Sequence, residues 1–587
     1  MKQELKEFYQ ILLTNTANGS KDIFTIFYTD GKTATIEMPN NFGIKSIIRS
    51  DVGDYYTITF LNGETADVAG PGIEDYMTHH PAFKKYGVSG IGQQTAALTR
   101  TEDAVGMTAE VGTDDTSVSV TNDFDTAYPF MHKKCVGNWT MGENGYPKFN
   151  VQAYLGEEGY AEDGTKGDYV AVELPKSYYY MEGSTLIVSG HRYEGYKCFD
   201  IFLRDHDKEM ELDKIYVPAY ALALKDGKAV SLPGLDNDQG DYATLFKNAR
   251  KYSNNDVNNK AMLMPAALEF YYWALAVVEF ANQNVQYTMR GMADLRNDQN
   301  SRCKFLDATH ILVTDWTSDQ QSAIASWNAN WRKAGDYVAI LTTNLDINHQ
   351  DYKATHRIVS VTRCDNSGTA DASGQYSKIE IEDLGKNYFT YDTTGATDYK
   401  IAGRPYPTGA CNDVVTPSGS PASNSDGHHP MRYRYRENVW GNQYHTSVDL
   451  FNIKVGTGDS DYELEYYYLP DPSVIGTPSN PTDTALKADP YEKLGVKTKH
   501  ANYANGFIKS REYDEKYPDI WIPDETTGGS ETTYFADYAN LVNSPVVRSV
   551  RFGGHWNNGG NAGFMFYGSI APSSAHASFG GDLCFAQ

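Results

Sequence analysis

RSVRFGGHWNNGGNAGFMFYGSIAPSSAHASFGGDLCFAQ, residues 548–587, ends the chain and decides how the rest of it is read. Arg548 to Gly554 and Phe579 to Phe585 read as strand ends, and the stretch between them mixes small, polar and aromatic residues. That middle has no apolar periodicity, whereas a core element repeats at the strand or helix period. It is therefore expected on an exposed face. His, Trp, Asn, Phe, Tyr, Ser and Gly together make a paratope-like composition, in which aromatic rings give rigid contact area and small polar groups adapt. An ordinary Gly-rich loop region is the other reading the residues allow.

Working outward, the whole chain has 587 residues, enough for several domains. Its 44 Tyr suit either a binding surface or ordinary strands, where Tyr is favoured. A net charge of −25 argues against nucleic acid, which needs a basic stripe, and against an anionic membrane surface. No long apolar run is present to insert in a membrane. The N-terminus MKQELKEFY lacks an apolar signal core, so synthesis in a cytoplasm without a signal peptide is expected. Cys135, Cys198, Cys303, Cys364, Cys411 and Cys584 are widely spaced and form no CxxC pair. They read as buried apolar fillers, with a disulfide framework as the alternative.

Before the C-terminal stretch the chain divides by composition. Leu5, Phe8, Tyr9, Leu12 and Leu13 share one helical face over residues 2–13, a helix for self-association or for packing on the next strands. Phe24–Tyr28 and Thr33–Met38 flank Asp30-Gly31, and Tyr56–Leu61 and Thr65–Val68 flank Asn62-Gly63. Both dipeptides tolerate positive φ and predict hairpins. Residues 1–70 thus read as a helix and β-hairpin attachment module, and the Gly-, Ser- and Thr-rich residues 71–122 as a connector. DYVAVELPKSYYYM (168–181) predicts two strands around Pro175, and KIYVPAYALAL (214–224) another. MPAALEFYYWALAVVEFANQNVQY (264–287) carries a wide apolar stripe and predicts the one long core helix. GDYVAILTTN, HRIVSVTRC and YSKIEIEDLG predict a small barrel-like module within a β-rich insertion, 300–411. Residues 412–430 and 469–487 read as flexible loops.

Chemistry-bearing motifs are sparse. His79-His80 and His428-His429 lack a carboxylate at ligand spacing, and neither HExxH nor a GxSxG elbow occurs. GVSGIG lacks the Lys-Ser/Thr of a phosphate loop, and EEGYAEDG lacks EF-hand spacing. No metal and no cofactor are expected, and no catalytic residue is assigned.

From about Asp123 onward the chain resembles the formylglycine-generating-enzyme branch of the C-type-lectin fold. ENVWGNQYHTSVDLF (437–451) is similar to that branch's Glu-Asn-Val-Trp segment, and RSVRFGGHW (548–556) to its Arg-Gly-Gly-Ser-Trp segment. VELPKSYYY, KIYVPAYALAL and the 264–287 helix resemble phage tail proteins carrying this fold. RFGGHWNNGGNAG and FGGDLCF resemble the variable region of proteins diversified by retroelements in gut phages. The resemblance implies an α+β protein: a C-type-lectin-like domain in two parts, 123–299 and 412–587, around the 300–411 insertion, with a variable region at 548–587.

It also implies the site. Variable, receptor-binding positions are His555, Asn557, Asn558, Asn561, Phe564, Phe566, Gly568, Ser569, Ser574, His576 and Ser578, each Asn or reachable from an Asn codon by adenine change. Arg551, Gly553, Gly554, Trp556, Ala562, Gly563, Gly580 and Gly581 form the implied scaffold. The expected function is a phage virion adhesin, of a tail or surface fibre, that binds a bacterial surface glycan or protein. It meets other virion proteins and is expected to be a homotrimer. A structural virion protein is the alternative. A formylglycine-type oxidoreductase is disfavoured because only Cys584 falls in the last 170 residues, where that family places a Cys pair.

Overall fold

Antiparallel hairpins organise both ends of the chain. The computed structural model describes residues 81–204, 210–293, 302–315, 333–342, 355–374, 376–383, 392–456, 463–499, 505–541 and 545–587, and before residue 81 six strands. The chain forms two compact units, Met1–Lys84 and Lys85–Gln587.

In the first unit, Tyr9–Thr14, Lys21–Tyr28 and Thr33–Pro39 make one three-stranded sheet. Ile44–Arg49, Tyr55–Phe60 and Thr65–Ala69 make a second. The Asp-Gly and Asn-Gly hairpins form as expected, with Phe27 opposite Thr33 and Thr59 opposite Thr65. The helix expected over 2–13 does not form across its second half. Tyr9–Thr14 is a strand, and Leu12 faces Thr25 on the next one. A short apolar run fits either period, and an adjacent strand of matching length decides between them. Residues 2–8 of that expected helix lie outside the described residues.

The second unit is mostly β, with several antiparallel sheets and few helices among the described residues. Lys133–Met141, Pro147–Tyr154, Tyr169–Pro175 and Lys214–Pro218 form a four-stranded sheet. Lys85–Ser89 and Thr99–Glu102 join Tyr178–Glu182, Thr185–Ser189 and Lys197–Cys198 in a five-stranded one. Residues 85–102 were expected to belong to a connector. Instead they supply two strands, and Tyr86 and Val88 lie in the core.

Two helices matter for the site, α1 (Tyr242–Ala249) and α2 (Ala266–Phe280). The Asp241 side chain caps α1 by accepting from Thr244 N at 2.8 Å. Every residue of α2 from Ala266 to Glu279 is buried. The predicted stripe therefore understates its surroundings: it is packed all round, and its two carboxylates must find cations inside. Glu279 meets Arg434 at 2.6 Å and Glu269 meets Arg436 at 3.4 Å.

The insertion is a closed barrel, in the order Arg302–Phe305, His310–Asp315, Tyr376–Asp383, Thr355–Cys364, Tyr337–Thr342, Tyr399–Gly403. Ile379 and Ile381 point inward with Ile311, Val313, Ile340, Ile358 and Ile401, as the period of 2 in YSKIEIED requires. Both expected flexible loops are anchored to the body at several points. Gly419 exchanges backbone bonds with Arg432 at 2.8 and 2.9 Å, and Ser418, Ser420 and His428 are buried. Within 469–487, Pro472 and Leu486 are buried, and Thr482 caps a short helix, Asp483–Leu486.

The sheet that carries the C-terminal stretch has eight strands. They are β1 (Tyr444–Val455), β2 (Glu463–Tyr468), β3 (Glu492–Lys499), β4 (Gly506–Phe507), β5 (Tyr538–Asn540), β6 (Arg548–Gly553), β7 (Gly563–Ile570) and β8 (Phe579–Gly580). Across the sheet they run β3-β2-β1-β6-β7-β5-β4, and β8 pairs in parallel with β1.

Candidate functional site

β6 and β7 lie at the centre of this sheet, so the stretch expected on an exposed face is largely interior. All of β7 from Gly563 to Ser569 is buried, which is why it shows no alternation: both of its faces are covered. What reaches the surface is the connection from β6 to β7, residues 554–562, and the connection from β7 to β8, residues 571–578.

The first connection starts at two glycines with positive φ, 83° at Gly553 and 74° at Gly554. A Cβ at Gly553 would stand 2.9 Å from His445 Cδ2, and one at Gly554 2.9 Å from the Cα of Ala562. The chain can turn here only without side chains. Asn558 then accepts from the backbone N of His555 at 2.7 Å and closes the turn. Trp556 is buried with Met292, Tyr406 and Ala577, which pins the middle of the connection. Ala562, Gly563, Gly580 and Gly581 are buried as well.

The second connection returns over β6 and is held by the 437–451 segment. Tyr444 N donates to Ser578 O at 2.8 Å, Gln443 Nε2 to Ala577 O at 2.7 Å, and Thr446 Oγ1 to Gly580 O at 2.8 Å. Beneath these bonds His445 Nδ1 meets Asp582 at 2.6 Å, and Arg436 meets the same carboxylate oxygen at 2.9 Å. His445, Arg436, Glu269 and Asp582 are all buried, two cations against two anions. The 437–451 segment and FGGDLCF, both of which carried a resemblance, thus touch one another through charge at His445 and Asp582.

An aromatic layer lies under both connections. The Tyr444 ring is 4.8 Å from His555, 5.4 Å from Phe566 and 5.8 Å from Phe579. Tyr538 stacks on Phe566 at 6.3 Å. The fully buried Arg551 guanidinium sits 3.5 Å over the Phe579 ring, and its Nη2 reaches Ser574 O at 3.4 Å. Its Nε and Nη1 make no hydrogen bond among the described residues, and burial lowers its pKa. Burial, with His576 nearby, pushes the His555 imidazole down to about 3, so the ring is neutral.

The expected contact positions therefore divide. Asn557 is exposed, and His555, Asn558, Asn561, Ser574 and His576 are half-buried, with His555 Nδ1 shielded from solvent. Phe564, Phe566, Gly568, Ser569 and Ser578 are buried. Phe564 packs on Trp440 at 4.6 Å, and Ser569 donates to Asn452 at 3.0 Å, so these side chains face the interior and not a partner. Ser573, which was not singled out, is exposed on the second connection. Tyr444, Tyr538 and Phe579 were also not singled out. Tyr444 and Phe579 had a signal, their places inside ENVWGNQYHTSVDLF and FGGDLCF, and Tyr538 had none.

Elsewhere His428 of the His428-His429 pair is buried, with Nδ1 3.6 Å from Asp336, and His429 lies 3.1 Å from Asp426. His79-His80 lies outside the described residues. Among the described residues no group of three or more His, Cys, Asp or Glu side chains is placed to hold a metal ion. The six cysteines are buried free thiols. No protein-family model matches the chain, and no curated protein matches it in sequence.

Proposed function

We propose that the chain is a phage virion adhesin whose C-type-lectin-like domain presents residues 554–562 and 571–578 to a receptor on a bacterial surface, glycan or protein. The observation that carries this reading is the contrast within one stretch. A buried charge cluster, two obligate glycines and an aromatic layer hold the ends of both connections, while Asn557, Asn561, Ser573, Ser574 and His576 reach solvent. A rigid frame under exposed small polar side chains lets those side chains change without disturbing the core. The diversification by a retroelement rests on the family resemblance of 548–587. So does a homotrimer, whose several weak faces act together by avidity.

An enzymatic reading through thiolate chemistry finds little support. Burial raises the thiols of Cys135, Cys198, Cys411 and Cys584 above their ordinary range, the opposite of what a thiolate nucleophile or soft metal ligand needs.

The test is adsorption of the purified full chain to a panel of gut bacterial strains. The reading expects binding to at least one strain. That binding is lost in Asn557→Ala/Asn561→Ala/His576→Ala while the melting temperature stays unchanged. Binding to no strain, or binding that survives the triple substitution, contradicts it.

A further inference from the structure

On the reading of 554–562 and 571–578 as the receptor face, we propose that the closed barrel sets the geometry of that face. Tyr337 and Tyr406 are its positioning residues: they act through both connections and do not themselves meet the receptor.

The barrel joins both connections at a single cluster. Tyr337 opens the barrel strand Tyr337–Thr342, and Tyr406 follows the last barrel strand, Tyr399–Gly403. Their rings meet edge to face with centroids 4.9 Å apart. Tyr406 is buried in one apolar cluster with Met292, Trp556 and Ala577, and Tyr337 packs against that cluster. Trp556 belongs to the first connection and Ala577 to the second. Asn557 follows Trp556 directly and His576 precedes Ala577 directly, so two side chains that reach solvent are the immediate neighbours of two that the cluster buries. The backbone of Tyr406 is held from outside the barrel. Its N donates to Asn442 Oδ1 at 2.7 Å, and its O accepts from Asn237 Nδ2 at 2.9 Å and Asn442 Nδ2 at 3.2 Å. The Tyr406 hydroxyl is buried without a hydrogen bond among the described residues, so the barrel reaches this residue through ring packing.

A second route leaves the barrel one residue earlier. Buried Asp336 is tied into the barrel, where its O accepts from Ile358 N at 2.8 Å. Its Oδ2 stands 3.6 Å from Nδ1 of buried His428. Next to His428, Gly427 O accepts from Ala293 N at 3.1 Å, and Ala293 O accepts from Gly559 N of the first connection at 2.8 Å. Two adjacent barrel residues therefore reach the connections by two separate sets of contacts, one aromatic and one polar. Packed side chains and hydrogen-bond chains of this kind carry coupling between sites. A binding face is only as exact as the shell that locks it.

The test is amide hydrogen exchange and cell adsorption with full-length Tyr337→Ala/His428→Ala, which removes both routes and no residue of either connection. Exchange in 554–562 and 571–578 is expected to quicken about fivefold or more, with Lys133–Met141 and α2 exchanging as in the parent. Adsorption to a strain that the parent binds is expected to weaken about threefold or more. Two controls are expected to match the parent in both readouts: Tyr337→Phe, which keeps the ring, and Asn366→Ala, an exposed change in the turn after the barrel strand Thr355–Cys364. The proposal is overturned if the connections exchange as in the parent, if exchange quickens throughout the chain, if adsorption is unchanged, or if either control behaves as the double variant does. Exchange needs no receptor. A parent that adsorbs to no strain therefore contradicts the receptor-face reading, while exchange alone still decides whether the barrel holds the connections.

Discussion

The Nδ1 of His445 lies 2.6 Å from the Asp582 carboxylate, and Nε2 of the same ring lies 2.7 Å from the backbone carbonyl of Asn438. A carbonyl cannot donate, and Asp582, against its burial, is held ionised by His445 and Arg436. Both ring nitrogens must therefore donate, and the buried ring is a cation. Burial opposes that charge and Asp582 outweighs it, so the His445 pKa is raised.

A raised histidine gives a signed pH dependence. Its contribution to stability is complete below the unfolded value of about 6.5 and is lost as pH rises through the folded value. The melting temperature of the parent should therefore fall more between pH 6 and 9 than that of His445→Gln. Parallel curves for the two proteins contradict a cationic His445.

Removing the anion of this cluster is expected to cost more than removing a surface charge. Asp582→Asn leaves His445 and Arg436 buried with only Glu269 opposite, and breaking such a pair typically costs about 3–5 kcal/mol. Denaturant unfolding measures the difference, and a loss under about 1 kcal/mol would place the cluster among ordinary exposed ion pairs.

Buried and exposed members of the C-terminal stretch should separate cleanly. Phe566→Ala empties a place between Tyr444 and Tyr538 and is expected to cost about 3–5 kcal/mol. Asn557→Ala is expected to stay within about 0.5 kcal/mol. Equal costs at the two positions contradict the division of the stretch into floor and rim.

Arg551 differs from both. It is buried over Phe579 without an ion-pair partner among the described residues, and stacking, one carbonyl and the more distant Asp241 offset its desolvation incompletely. A side chain of similar volume without charge should serve as well or better. Arg551→Met is expected to keep or raise the melting temperature, and Arg551→Ala to lower it, because the ring then loses its neighbour. A lower melting temperature in Arg551→Met shows that the charge itself is needed.

Local signals were legible in the sequence. Asp30-Gly31 and Asn62-Gly63 marked hairpins, the alternation of YSKIEIED marked a barrel wall, and the run from Ala266 marked α2. Where the reading failed, distant partners decided. Tyr9–Thr14 became a strand because Lys21–Tyr28 lay beside it, and Lys85–Ser89 entered a sheet because Thr185–Ser189 offered an edge. The candidate face was misjudged for a related reason. A strand covered on both sides, such as β7, has no periodicity to show, and its mixed composition then looks like surface. The pairing of His445 with Asp582 spans 137 positions, and no local pattern reports it.

The most direct measurement of the central claim is the sequence of this locus across a population of related genomes. The account predicts replacements concentrated at Asn557, Asn561, Ser573, Ser574 and His576 and drawn from residues reachable by adenine change in an Asn codon. Arg436, His445, Gly553, Gly554, Trp556 and Asp582 should stay unchanged. Constancy at those five loop positions, or replacements spread evenly over the loops and the frame beneath them, would contradict it.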